Sequence, residues 1–167
     1  QIGDNLMKSA LYQLNSKTGL LAPIYFSPFS VSKVKQPINS DYCMTAVTAS
    51  MFNVPFEQVP KFIDLAKSDV ENDIYDNINT AFSENYDKYL NEYGLSLLII
   101  PFKNHDEFIK QIKQTFPNKD YHYIVGGISD RNVKHVVIYS NGKPFFDPHQ
   151  SNSFLKKPED IILILLK

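Results

Sequence analysis

Apolar positions change their spacing partway along the chain. Leu6, Met7, Ala10, Leu11 and Leu14 recur at helical intervals after Asp4, a residue type that caps helix starts, and Gly19 follows as a stop. This predicts an N-terminal helix. Residues 22–36 hold Pro23 and Pro28, with Pro37 just beyond, and little periodicity, so an extended lead-in is expected. Asp41 to Phe52 is small and apolar throughout and reads as a buried helix. A short helix around Val59, Phe62 and Ile63, interrupted at Pro60, is followed by a stripe through Val70, Ile74, Ile78, Phe82, Tyr86, Tyr89 and Leu90. That stripe predicts one amphipathic helix over Asp69–Tyr93, stopped by Gly94.

The second half shortens its runs. Leu95 to Pro101 has strand length, a helix is expected through Phe108, Ile109, Ile112 and Phe116, and Tyr121–Ile128, His135–Tyr139, Lys143–Asp147 and Ile161–Leu166 read as strands. Asn141-Gly142 between two of them is a strong hairpin signal. Helices first and a mainly antiparallel sheet second is the α+β pattern, and 167 residues suit a single domain, 1–167, with 1–35 as its N-terminal helix and lead-in.

Charge narrows the partners. The net charge is −1 and Arg131 is the only arginine, so the chain lacks the clustered cations of a nucleic-acid grip. The longest apolar run, Ile161–Leu166, is far too short to cross a membrane, and neither nucleic acid nor membrane is expected as a partner. A single cysteine leaves no internal disulfide and no Cys-rich zinc site.

That cysteine, Cys43, stands near the start of the small-residue helix. A thiol placed there feels the positive end of the helix dipole, which favours thiolate, although a lone cysteine among apolar neighbours reads equally as a small buried hydrophobe. His135 opens a strand and Asp147 ends the next; alone, each passes for a satisfied core residue or a turn former. Counting outward from Asn141-Gly142 pairs Ser140 with Lys143 and sets Asp147 opposite Val136, beside His135. A carboxylate there fixes the imidazole tautomer and aims the ring. Gln36, seven positions before Cys43, offers a side-chain N–H to an oxyanion. Ser129 and Arg131, in the turn ahead of His135, and His149, two residues after Asp147, are candidate substrate-binding groups. His149 with Cys43 and His135 also has the residue types of a metal site, but neither metal nor cofactor is expected. The segment from Gly126 to Asn132 lacks the Gly-Lys-Ser/Thr of a phosphate loop, and Asp69, Glu71, Asp73 and Asp76 read as a solvated helix face.

Gln36 followed by Asp41-Tyr42-Cys43 at the head of a small-residue helix, then His135-Val-Val-Ile-Tyr and Phe146-Asp147-Pro148, resembles the papain-like cysteine peptidase superfamily. The likeness is to its compact bacterial and phage branch, with bacteriocin-leader peptidases and NlpC-type amidases. It extends through Val54-Pro55-Phe56-Glu57-Gln58-Val59-Pro60 and through Gly127-Ile128-Ser129 to His149. The resemblance implies a papain-like fold, with Cys43 as nucleophile, His135 as base, Asp147 as the orienting group and Gln36 as oxyanion donor. It implies a peptide or small amide as substrate. The expected setting is the cytoplasm of a bacterium or of a phage-infected cell, where a lone thiol stays reduced, with a removed leader left open by a start at Gln1. Two other readings use the same residues. One is a non-catalytic binder that sequesters a small molecule or blocks a host factor, and the other is an interaction domain docking through aromatic surface.

Overall fold

The computed structural model describes residues 11–13, 23–25, 31–115, 117 and 120–166. Among these the strands are β1 (Leu11–Gln13), β2 (Pro23–Tyr25), β3 (Leu95–Pro101), β4 (His122–Ile128), β5 (Lys134–Ser140), β6 (Lys143–Phe146) and β7 (Lys157–Leu166). The α-helices are α1 (Cys43–Phe52), α2 (Phe62–Glu71), α3 (Ile78–Asn91) and α4 (His105–Thr115), with 3-10 turns at Phe56–Gln58 and Phe102–Asn104. The fold is mixed α+β.

All strand pairs are antiparallel, and β7 holds the sheet together. It pairs with β3 from Leu95↔Leu166 to Pro101↔Asp160 along one edge. Along the other it pairs with β4, and near its end with β2 at Ile24↔Leu165. From β4 the sheet continues to β5 and β6.

Alternation in β4, β5 and β7 sends side chains to two separate cores. Ile124, Val136, Ile138, Ile162 and Ile164 pack with residues of α1, α2 and α3, such as Val47, Phe62 and Tyr86. Their odd-numbered neighbours Val125, Val137, Tyr139, Ile161 and Leu163 pack with Phe108 and Ile112 of α4. Helices therefore cover both faces, which explains why these strands read as unbroken apolar runs instead of alternating ones. In α1 every residue except Cys43 is buried. Its polar side chains are satisfied inside: Thr45 donates to Pro60 O at 2.6 Å, Thr48 pairs with the Tyr86 hydroxyl at 3.0 Å, and Ser50 Oγ accepts from Val34 N at 2.9 Å.

Three expectations need correction. The periodicity across Leu6–Leu14 does not give a helix at 11–13, where the chain pairs as a strand with β2; the rest of that prediction lies outside the described residues. Sheet pairing outweighs a local pattern there. The stripe over Asp69–Tyr93 belongs to two helices. α2 ends at Glu71, Asp73 takes a left-handed φ of 57°, and Asn77 starts α3 by accepting from Thr80 N at 2.9 Å. Ile74, which keeps the spacing of the stripe, is 60% exposed in the connection. Finally, the hairpin carries a bulge. Asn141 and Gly142 both have positive φ and Ser140 pairs with Lys143 as counted, but Phe146 falls opposite Ile138, with Phe145 as the extra residue. Asp147 is therefore displaced by one position from Val136. Pro144, with no N–H for the ladder, sits where the register breaks.

Candidate active site

Cys43 is the first residue of α1 and is half-buried. The first intrahelical bond runs from Ala46 N to Tyr42 O, so the N–H groups of Cys43, Met44 and Thr45 have no acceptor within the helix. His135, the second residue of β5, lies opposite Gly127 of β4. Asp147 directly follows β6. Both are buried, and His135 Nε2 meets Asp147 Oδ1 at 2.7 Å.

The carboxylate's other partners decide the tautomer. Asp147 Oδ1 also accepts from His149 N at 2.9 Å, and Oδ2 accepts from Phe154 N at 2.9 Å. An oxygen pair already receiving two backbone N–H groups is an acceptor toward the ring as well, so Nε2 is the donor. With Nε2 bound to Asp147, Nδ1 is the ring nitrogen left for Cys43, which lines the same cleft.

Burial alone disfavours the imidazolium. That effect is the largest single one, but the hydrogen bond to Asp147, the neighbouring Cys43 and the charge of Asp147 together outweigh it, and the pKa of His135 is pushed up to about 9. Burial likewise acts to raise the Asp147 pKa, but the bonds from His135, His149 N and Phe154 N hold it below the ordinary carboxylate value. These shifts set a pH window. Stability contributed by His135 is fully present below its ordinary pKa of about 6.5 and is lost as pH rises through about 9, a loss of roughly 3 kcal/mol. Stability contributed by Asp147 is lost on the acid side, as pH falls through its lowered pKa. A melting series from pH 6 to pH 10 should therefore show Tm declining above neutrality in the wild type, with that slope flattened in His135→Gln.

The loop after β6 is braced by residues whose part in the site left no trace in the sequence. Lys35 Nζ donates to Asp147 O at 2.8 Å, to His149 O at 3.0 Å and to Asn152 Oδ1, and lies 5.2 Å from the centre of the Phe146 ring. Gln36 is buried beside it. Its main-chain N–H donates to Pro148 O at 2.9 Å and its main-chain oxygen accepts from Gln150. The Gln36 side-chain amide donates from Nε2 to Ser40 O at 2.7 Å and lines no part of the cleft at Cys43. These bonds make Gln36 a brace between the turn at 37–40 and the loop after Asp147.

Ser129, Arg131 and His149 lie around the turn ahead of β5 and the loop after β6. Ser129 is fully buried and closes its own turn, with Ser129 N donating to Val133 O and Arg131 N to Ser129 Oγ. Arg131 Nη1 bonds Ser151 Oγ at 3.1 Å and pairs with Asp130 at 3.5 Å. The His149 ring stands edge-on to that of His135, 6.1 Å between centres, with Nδ1 against Ser151 Oγ at 2.8 Å. None of the three lines the cleft described next. Among the described residues, no three His, Cys, Asp or Glu side chains form a group able to hold a metal.

Cys43 and His135 open onto a cleft of about 670 Å³. One wall is α3, through Ile78 and Phe82, and the floor is formed by β5, β4, β7 and β3. No protein-family model, curated protein or solved structure matches this chain.

Proposed function

We propose that the chain is a thiol hydrolase of the papain-like kind, cleaving an amide or peptide-like bond through Cys43, His135 and Asp147. The observation that supports this reading is the buried His135–Asp147 pair, which shares one cleft with a cysteine at the head of a helix. A buried ion pair costs desolvation and is a poor way to gain stability, so its position beside the thiol favours a chemical role.

The steps follow from the geometry. Cys43 Sγ, as thiolate, attacks the carbonyl carbon, and the negative charge on its oxygen is met by N–H groups of the first turn of α1, which lack intrahelical acceptors. The imidazolium of His135 gives its Nδ1 proton to the leaving amine as the C–N bond breaks, leaving a thioester on Cys43. A water that loses its proton to His135 then attacks the thioester carbon, releasing the acid and restoring the thiolate–imidazolium pair. Asp147, which keeps Nε2–H bound throughout, holds the ring toward the thiol and stabilises its charged form.

Alkylation of Cys43 tests this directly. Iodoacetamide should label the wild type at least about tenfold faster than His135→Ala, because a base beside the thiol can take its proton as the sulfur attacks. Equal rates in the two proteins would remove the dyad and leave a non-catalytic binding protein as the better account.

A further inference from the structure

From the lining of the cleft we infer its substrate: an extended polypeptide segment in which apolar residues accompany a lysine or arginine, the cation lying against Asp160. The inference rests on the hydrolase reading of Cys43 and names what that site would take.

The reach of the cleft sets the length. Cys43 and His135 stand at its β5 end, while Leu97 and Ile99 of β3 line its far end. In the sheet β5, β4, β7 and β3 are successive neighbours, so the cleft crosses three inter-strand steps, about 14 Å. An extended chain covers that distance in about four residues. The middle of the floor is kept low by Gly126. A Cβ added there would come 3.4 Å from Ile162 Cδ1 and 3.6 Å from Val136 Cγ1, both cleft residues, so its missing side chain is missing from the cleft.

Opposite Gly126, on β7, stands Asp160. Asp160 and its neighbour Glu159 are half-buried, both line the cleft, and neither forms an ion pair among the described residues. Asp41, the third carboxylate on the cleft, is already tied to Lys67 at 3.0 Å. Among the described residues the cleft therefore holds two acids without an ion pair between apolar walls, against the exposed ammonium of Lys134. A carboxylate partly withdrawn from water beside Phe82 and Ile162 favours a cationic partner and rejects an anionic one. An aliphatic stem ending in a charged head meets both demands of this lining.

The test uses three sets of end-blocked hexapeptides, degenerate in Leu, Ile, Val and Phe, and carrying one Lys, one Glu or one Gln. Their protection of Cys43 from iodoacetamide and their cleavage are both read by mass spectrometry. The Lys set should protect best and be the set that is cut. Asp160→Asn should weaken its protection about tenfold, and Asp160→Lys should move the preference to the Glu set. Equal protection by the Glu or Gln set, an unchanged ranking in Asp160→Asn, or no protection by any set would overturn the inference. The hydrolase reading fails on different results. Protection by the Lys set without cleavage leaves the ligand preference standing and removes the reaction, and labelling independent of His135 removes the dyad.

Discussion

Asp147→Ala should lower the free energy of unfolding by about 3–5 kcal/mol, among the largest losses any single substitution in this chain should produce. The carboxylate is 1% exposed and takes three hydrogen bonds, from His135 Nε2, His149 N and Phe154 N. Alanine leaves the buried His135 donor and the half-buried N–H groups of His149 and Phe154 without this acceptor, and an unmade bond of this kind costs more than a made one contributes. The same change removes the group that holds and orients His135, so rapid labelling of Cys43 should be lost together with stability. Asp147→Asn separates these effects. Its oxygen still serves part of the network, but its NH2 must face one of the donors, so stability should fall less while labelling falls nearly as far. Urea unfolding with an unchanged m-value measures the first quantity. A loss under about 1 kcal/mol for Asp147→Ala would mean that the loop after β6 does not depend on this carboxylate.

Gly127→Ala should be comparably damaging, for a steric reason. A Cβ at this position would stand 2.2 Å from Lys157 O and 2.9 Å from Pro158 Cα, both backbone atoms that no side-chain rotation can move aside. β4 shifts register against β7 between Gly126 and Gly127, and Gly127 is the residue paired with His135 on its other side. Relieving the clash means separating β4 from the start of β7, at a cost of about 3 kcal/mol or more. The adjacent Gly126→Ala is the control. Its Cβ meets side-chain carbons at 3.4 and 3.6 Å, so a change under about 1 kcal/mol is expected. If the two substitutions melt alike by calorimetry, close backbone approach is not what requires glycine at 127.

Much of the site's placement could be read from the order of residues, because it depends on local rules. Asn141-Gly142 demands a two-residue turn with positive φ, and pairing outward from it brings the His135 strand against the Asp147 strand. Cys43 at the head of α1 follows from a run too small and apolar to be anything but a buried helix. What escaped sequence reasoning depends on contacts between distant segments or on how a loop closes. Phe145 is an ordinary strand residue by type, and only the break at Pro144 marks the bulge that moves Asp147 by one position. Lys35 reaches acceptors 112 and 114 positions away, and nothing around it distinguishes it from a surface lysine. Gln36 is a candidate by its distance from Cys43, but its bracing bonds to Ser40 O and Pro148 O join segments far apart in the sequence. The break between α2 and α3 was hidden because Ile74 keeps the helical interval while facing water.

The strand on which β3 and β4 both depend comes after Cys43, His135 and Asp147 in the order of synthesis. While β7 is still inside the ribosome, β4, β5 and β6 can zip as a meander, yet β3 has no described strand to pair with and the floor of the cleft lacks Asp160 and Ile162. The groove beside Cys43 is thus finished only when β7 has joined both of its neighbours, whatever the order in which the other strands pair.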